Sequence, residues 1–281
     1  MKYLIALASL VLLAAALLIV WRLTDHRADA REMDRLRALQ PLKPERFSKA
    51  LISDLPEPAQ RYFRFAIAEG TPLLSVAQIE MTGKFSLGSQ DAPNYMDMQA
   101  TQVLAAPDGF VWKMSCGSGL MRMSGSDSAR WTRFWMAGLA PVARFGGDND
   151  HARSAFGRYV AEAAFWTPAA ILPSRHVTWE AVDANTARYT MNHDGMGQAV
   201  DITVDAEGRP VEVVFQRWSN ANPEGIHRLQ PFGGFLSDFR QINGFQVPFH
   251  VEAGNHFGTD DYFPFFIANV SEVRFPTPTN P

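Results

Sequence analysis

The first pattern along the chain is an uninterrupted apolar segment. No charged residue occurs from Tyr3 to Trp21, and at a rise of about 1.5 Å per residue roughly twenty such residues cross the core of a bilayer. The apolar part of a cleaved signal peptide is usually shorter, with small residues at the cut close behind it. Here the charged Arg22 follows, and the small-x-small triplet at 28–30 stands well beyond the segment. The pattern predicts an uncleaved transmembrane anchor over residues 1–21.

The charges that flank this segment leave its orientation open. Only Lys2 and the amino terminus precede it, whereas several arginines follow. Counted by the positive-inside rule, these charges put the following residues in the cytoplasm. A very short basic amino terminus ahead of an apolar segment is nevertheless how an export signal begins.

A charged segment connects the anchor to the remainder of the chain. Residues 22–40 carry many charges and few apolar positions, which is typical of a solvated helical stem that acts as a spacer. Pro41 and Pro44 end it. Residues 22–52 are therefore interpreted as stem and linker, followed by a helix from about Glu57 to Ala68 with Asp54 as its cap.

From Val76 onward the apolar residues recur at every second position, as in Ile79, Met81 and Phe85. This period indicates half-buried strands. Similar runs recur at about 94–104, 109–116, 119–125 and 129–136. A second series follows at about 176–182, 186–192, 198–204, 211–218, 235–242, 245–253 and 265–275. Asn243-Gly244 is its best hairpin signal.

Between the two series, residues 149–166 return to a helical period, with Asp148 as a cap and Pro168 beyond the end. No interval is long enough for repeated parallel crossovers. We therefore predict an α+β fold, mostly antiparallel, in which a curved half-barrel sheet is covered by helices. It forms a single domain over 53–275 that encloses either a cavity or a solid core, and residues 276–281 form a disordered tail.

Composition excludes several classes of function. The 281 residues are 47% hydrophobic and carry a net charge of −3, so the basic surface that nucleic-acid binding requires is missing. The single cysteine, Cys116, excludes an internal disulfide and a zinc site built from several thiolates.

Motifs for a cofactor, a metal or a nucleophile are also missing. Neither phosphate-binding glycine pattern occurs, and neither does G-x-S-x-G. His256 and Asp260 are weakly spaced metal ligands in a segment typical of a loop. We expect no cofactor and no metal site.

Met and aromatic residues crowd into the first series of strands, and surfaces of this kind adapt to irregular apolar ligands. Most of these residues must form the core of a domain this large, but one face is a candidate cavity lining. The candidate ligand-binding residues are Trp112, Met114, Met121, Met123, Trp131, Trp135 and Tyr159.

Arg158 and Glu162 stand one helical turn apart in an otherwise apolar stretch. Such a pair can orient a ligand at the rim of a cavity, and Glu162 can act as an acid or base. The alternative is an ordinary ion pair, or a structural link from helix to sheet.

Several segments resemble an uncharacterised bacterial family of membrane-anchored proteins with a domain of unknown function. They are LPEPAQRYFRFAIAEG (55–70), APDGFVWKM (106–114), SAFGRYVAEAAFWTPAAILP (154–173), HVTWEAVDANTARYTM (176–191) and DAEGRPVEVVF (205–215). The order of elements is also similar to the periplasmic lipoprotein-carrier (LolA/LppX-like) half-barrel. This resemblance implies an exported domain and a hollow for acyl chains, although fold does not fix function.

The leading hypothesis is a non-catalytic domain, tethered to the inner membrane on its periplasmic side, that binds a lipid or lipoprotein acyl chain. Its expected partners are the membrane and a hydrophobic small molecule. The alternatives are an envelope enzyme that uses Glu162, and a structural protein-interaction module. Oligomeric state is left open.

Overall fold

The computed structural model describes residues 1–277, so the tail expected at 276–281 lies largely outside the described residues. The described part contains three α-helices, α1 (Lys2–Arg37), α2 (Glu57–Ala66) and α3 (Asn149–Trp166). Its strands are β1 (Ala77–Ser86), β2 (Tyr95–Ala105), β3 (Gly109–Cys116), β4 (Met123–Ser128), β5 (Thr132–Met136), β6 (Ala140–Phe145), β7 (Val177–Ala181), β8 (Thr186–His193), β9 (Met196–Val204), β10 (Pro210–Ser219), β11 (Arg228–Ile242), β12 (Phe245–Asn255) and β13 (Phe263–Arg274).

All thirteen strands form one antiparallel sheet in the order β6-β5-β4-β3-β2-β1-β13-β12-β11-β10-β9-β8-β7. Two meanders, β1–β6 and β7–β13, are joined where β1 pairs with β13. The predicted α+β, mostly antiparallel fold is confirmed. The helix at 149–166 also begins and ends as predicted, and the Asp148 side chain caps it by accepting a hydrogen bond from the His151 amide at 2.8 Å.

Some boundaries differ from the prediction. Asp54 does not cap α2, because the helix begins after Pro56 and no side chain caps it. Strand β6 was not predicted, since its exposed residues do not alternate clearly, and β11 begins at Arg228, about seven residues earlier than expected.

The topology places α3 inside the curve of the sheet. Strands β6 and β7 are the two outer edges, and the chain passes from one to the other through α3. The main core lies between the sheet and helices α2 and α3, where Tyr62 donates to the Ala164 carbonyl at 2.6 Å and Tyr189 to the Val160 carbonyl at 2.7 Å.

Helix α1 is the one helix among residues 1–277 that is long and apolar enough to cross a membrane. Its apolar half is exposed, whereas residues 22–37 lie on the outer face of the sheet. There Met33 and Leu36 form a second apolar cluster with Val76, Val103, Ala105 and Val111. The stem is helical as expected, but the interpretation as a solvated spacer is wrong because its polar stripe packs against β2–β5.

Two acidic side chains of the stem hold this contact. The Asp25 carboxylate accepts hydrogen bonds from Arg144 at 2.6 Å, from Arg133 at 3.0 Å and from the Trp135 indole at 2.9 Å. Asp29 accepts one from the Ser126 hydroxyl at 2.7 Å. A sequence-based count of charges does not reveal this, because the basic partners come from distant strands.

The pKa values of the Asp25 and Asp29 carboxylates are shifted in opposite directions. Burial alone would raise the pKa of Asp25, but the hydrogen bonds from Arg144, Trp135 and Arg133 outweigh it and the pKa is lowered. For Asp29, burial outweighs the single hydrogen bond from Ser126, so its pKa is raised. The ionised form of Asp25 therefore stabilises the fold, whereas that of Asp29 does not.

The substitution Asp25→Asn is expected to lower the free energy of unfolding by about 2–4 kcal/mol, because it leaves two partly buried arginines without their anion. The measurement is chemical denaturation of the full-length protein in detergent at pH 7. The contribution of Asp25 is present above the ordinary Asp pKa of 3.8 and is lost as the pH falls through its lowered folded value. The difference between the two proteins should therefore shrink in acid.

The matched control is Asp29→Asn, on the same face one turn away. It removes a carboxylate whose charge is disfavoured by burial and preserves an acceptor for Ser126, so stability at pH 7 should be unchanged or higher. Equal losses for the two variants would show that the electrostatic account of the stem is incorrect.

Candidate functional site

A cavity of about 870 Å³ lies between α3 and the sheet. Strands stand about 4.8 Å apart and a helix is only about 10 Å wide, so one helix cannot fill the curve of a thirteen-stranded sheet. The lining is mainly apolar and aromatic, and includes Met81, Phe85, Trp112, Met114, Phe215 and Phe232. Of the two possibilities left open above, cavity or solid core, the structure has the cavity.

Arg158 and Glu162 face this cavity from α3, but their polar groups bind the protein. Arg158 donates to Asp127 of β4 at 2.7 Å and to Glu162 at 2.8 Å. The second carboxylate oxygen of Glu162 accepts from the amide of Gln102 on β2. Both oxygens of Glu162 are thus occupied, which favours a helix-to-sheet link over the predicted acid or base.

The guanidinium of Arg158 also lies over two aromatic rings, 4.7 Å from the centre of Phe110 and 5.0 Å from that of Trp112. Burial alone would lower the pKa of Arg158, but the charges of Glu162 and Asp127 outweigh it and the pKa is raised. We call Arg158, Glu162, Asp127 and Gln102 the polar clamp.

Arg217 is the second cation of the cavity, and it has no such partners. It extends from β10, its buried Nε has no hydrogen-bond partner, and none of the carboxylates in residues 1–277 pairs with its guanidinium. The ring centre of Phe232 lies 5.0 Å from the guanidinium carbon of Arg217. Burial, together with the charge of Arg158, lowers the pKa of Arg217 to about 10.

Another donor in the cavity is also unpaired. The indole Nε1 of Trp112 is buried and has no hydrogen-bond partner within the described residues. A buried donor without an acceptor costs about 1–3 kcal/mol. Trp112 and Arg217 both line the cavity, so its mainly apolar walls include two residues that each have a buried donor without an acceptor.

The structure brings five of the nine predicted site residues to the cavity: Trp112, Met114, Met123, Arg158 and Glu162. Their part in binding stays a prediction. The other four lie elsewhere, for reasons of strand and helix periodicity.

In β5, Thr132 and Phe134 face the cavity, so Trp135 points to the opposite face, where its ring packs 5.5 Å from Trp21. Trp131 also points away, and its indole donates to Ser126 at 3.0 Å. Met121 is exposed at the end of a short 3-10 helix between β3 and β4. Tyr159 lies one position round α3 from Arg158 and packs between Phe110 and Phe156.

Sequence reasoning missed Arg217, although a signal was present. Val213, Phe215 and Arg217 occupy alternate positions of the strand predicted at about 211–218, and all three line the cavity. A cation at a strand position that faces inward indicates a polar group inside the core.

The cavity reaches one end of the strands, which form an edge where the turns lie. The apolar half of α1 extends from the same end. At this edge Arg22 donates to Ser124 at 2.9 Å and lies against Gly138, in the turn between β5 and β6. The turn between β1 and β2 lies at the same edge because antiparallel strands alternate in direction. Leu87 of that turn is both exposed and part of the lining.

Further exposed apolar side chains cluster here, at Leu120, Met121 and Leu139. We call this end of the strands the anchor-side edge.

Within residues 1–277, no three His, Cys, Asp or Glu side chains lie close enough together to hold a metal ion.

Comparison with known proteins identifies one family. The sequence profile of DUF6544, described as a family of unknown function, matches residues 45–267. None of the curated proteins matches this chain significantly.

Three solved structures are similar to this chain in the course of the backbone. A LolA superfamily protein from Nitrosomonas europaea is 11% identical, with 78% of this chain and 91% of that one covered, at a TM-score of 0.38. A putative outer membrane lipoprotein-sorting protein domain from Vibrio parahaemolyticus is 12% identical over 73% and 87%, at 0.35. A DUF1329 family protein from Desulfovibrio piger is 10% identical over 73% and 88%, at 0.34. We draw no function from these likenesses.

The substitution Arg158→Gln is expected to lower the free energy of unfolding by about 3 kcal/mol or more, because Asp127 and Glu162 are left facing each other without their cation. Thermal unfolding followed by circular dichroism measures it. The matched control is Arg188→Gln, whose pair with Asp201 lies outside the cavity with the arginine 40% exposed, so its loss should stay below about 1 kcal/mol. Similar losses for both would contradict the clamp.

Proposed function

We propose that this chain, which belongs to the DUF6544 family of unknown function, is a membrane-tethered domain that binds a hydrophobic ligand, a lipid or lipoprotein acyl chain, without transforming it. The observation that carries this proposal is the cavity. Its volume of about 870 Å³ falls in the range of small-molecule sites, and apolar burial along its aromatic and Met-rich walls supplies the binding free energy.

The alternatives fit the geometry less well. An enzyme that uses Glu162 needs a carboxylate free to exchange a proton, whereas both of its oxygens accept hydrogen bonds from the polar clamp. A structural interaction module was expected to have a solid core. The cavity favours ligand binding over both.

The contact between α1 and the sheet supports retention of the anchor. Cleavage at the triplet 28–30 would release Asp25 and expose Trp135, together with Arg133 and Arg144. Since residues 22–37 are part of the folded structure, we propose that α1 remains uncleaved and spans the inner membrane over residues 3–21.

The position of the anchor also supports a route for the ligand. Helix α1 enters the bilayer at the anchor-side edge, which brings Leu87, Leu120, Met121 and Leu139 close to the lipid surface. Exposed apolar patches of this kind are typical of membrane contacts. We propose that the cavity opens towards the bilayer and that the domain lies on the periplasmic side, in keeping with the short basic amino terminus.

The substitution Val213→Trp, which fills the cavity from β10, is expected to weaken binding of the neutral apolar fluorophore N-phenyl-1-naphthylamine at least tenfold, because the ligand and the new ring compete for one volume. Fluorescence titration of the full-length protein in nanodiscs, with empty discs as a blank, measures it.

The control is Val214→Trp, the next residue on the same strand, which points to the opposite face. Its affinity should equal that of the unaltered protein. Equal weakening by both variants, or no saturable binding by the unaltered protein, would refute a ligand cavity. Mass spectrometry of an organic extract should also show a co-purifying lipid.

The proposed orientation is tested by an environment-sensitive fluorophore on Leu120→Cys, in a chain whose buried Cys116 is replaced by Ala. Its emission should be blue-shifted in nanodiscs, whereas that of Ala184→Cys, in the exposed turn between β7 and β8, should not. Labelling of the Ala184→Cys variant by an impermeant maleimide in intact spheroplasts is expected on the periplasmic side. Identical emission at both positions would contradict the arrangement.

A further inference from the structure

On the premise of the proposed function, we infer that the ligand is an anionic amphiphile whose carboxylate or phosphate-ester head group is bound by Arg217, with its apolar chain along the walls of the cavity. The starting observation is an asymmetry between two cations that line one cavity. Arg158 is fully paired, and Arg217 is not.

The acidic groups near Arg217 are already used. Asp127 and Glu162 both bind Arg158, and Asp148, which also lines the cavity, caps α3 through the His151 amide. His227 lines the cavity as well, but it is a base and lies 3.6 Å from Asp150. Within the described residues the guanidinium of Arg217 therefore has no anion of its own.

The missing partner must be an acceptor. Arginine carries only donors, arranged in a planar fork that matches a carboxylate or a phosphate. A cation without an acceptor, within mainly apolar walls, fits a molecule with acceptor oxygens at one end and hydrocarbon for the rest.

The walls beside Arg217 match this division. Phe215 precedes it on the cavity face of β10, and Phe232 from β11 lies against its guanidinium. A head group that binds Arg217 would thus place its chain among these rings, within a lining that also includes Met81 and Phe266. A free inorganic anion would leave those walls without contact.

The experiment is competition against N-phenyl-1-naphthylamine on the full-length protein in nanodiscs. The competitors are hexadecanoate, hexadecyl phosphate, hexadecanol and inorganic phosphate. With the unaltered protein, the two anionic amphiphiles should displace the fluorophore at concentrations about tenfold or more below hexadecanol, because a charge-assisted hydrogen bond adds to burial of the same chain. Inorganic phosphate should not displace it.

In the variant Arg217→Gln the advantage of the anions over hexadecanol should disappear, while binding of the neutral fluorophore persists. In the control Arg188→Gln the advantage should be unchanged. Equal potency of hexadecanol on the unaltered protein, an unchanged advantage in Arg217→Gln, or displacement by inorganic phosphate alone would overturn the inference. Failure of the fluorophore to bind the unaltered protein would instead refute the proposed function itself.

Thermal unfolding separates a binding role from a structural one. Because Arg217 is a cation that burial disfavours, the delipidated Arg217→Gln protein should unfold at the same temperature as the unaltered protein or higher. Added hexadecanoate should raise the midpoint of the unaltered protein more than that of the variant. A clear fall of the midpoint in the variant would show that Arg217 holds the fold together and would overturn the inference.

Discussion

The passage of the chain between the two edges of its sheet determines the rest of the structure. Strands β6 and β7 lie at opposite ends of thirteen paired strands, and α3 connects them through the inside of the curve. A single helix covers only part of such a sheet, so side chains must fill the remaining volume or leave it open. The structure leaves part of it open as the cavity, whose lining is mainly apolar and aromatic.

The polar groups of the interior follow from the same arrangement. A helix suspended inside a curved sheet needs links that fix its rotation, and the polar clamp supplies them by joining α3 to β2 and β4. Once Arg158 has taken both carboxylates, a second arginine on the facing strand is left without an anion. The interior therefore contains one arginine that is paired with two carboxylates and one that has no anion.

Much of the fold was predictable because the spacing of apolar residues within a segment indicates whether that segment is a helix or a strand. The helical period at 149–166 and the two series of alternating residues predicted the right fold class and every strand except β6, and Asn243-Gly244 marked a true hairpin. The candidate site was less accessible. Trp135 and Trp131 belong to the outer face because of strand registers that composition does not contain, and the contact of Asp25 with Arg144 joins residues 119 positions apart. The alternation of residues along β10 puts Arg217 on the inward face. Its lack of a partner could not be predicted, because it depends on where Arg158, Asp127 and Glu162 meet in the fold.

The continuity of α1 limits how far the domain can move relative to the apolar segment. Membrane-tethered carriers with a flexible linker sweep a volume set by the length of that linker. Here one helix of 36 residues, about 54 Å long, passes from the apolar segment onto the outer face of the sheet without a break. The ion pairs of Asp25 with Arg133 and Arg144 hold it there. With α1 spanning the bilayer as proposed, this attachment keeps the domain at a constant height and orientation above the bilayer. A protein that exchanged the proposed ligand with it would therefore have to reach it by diffusion in the plane of the membrane or dock from outside the bilayer.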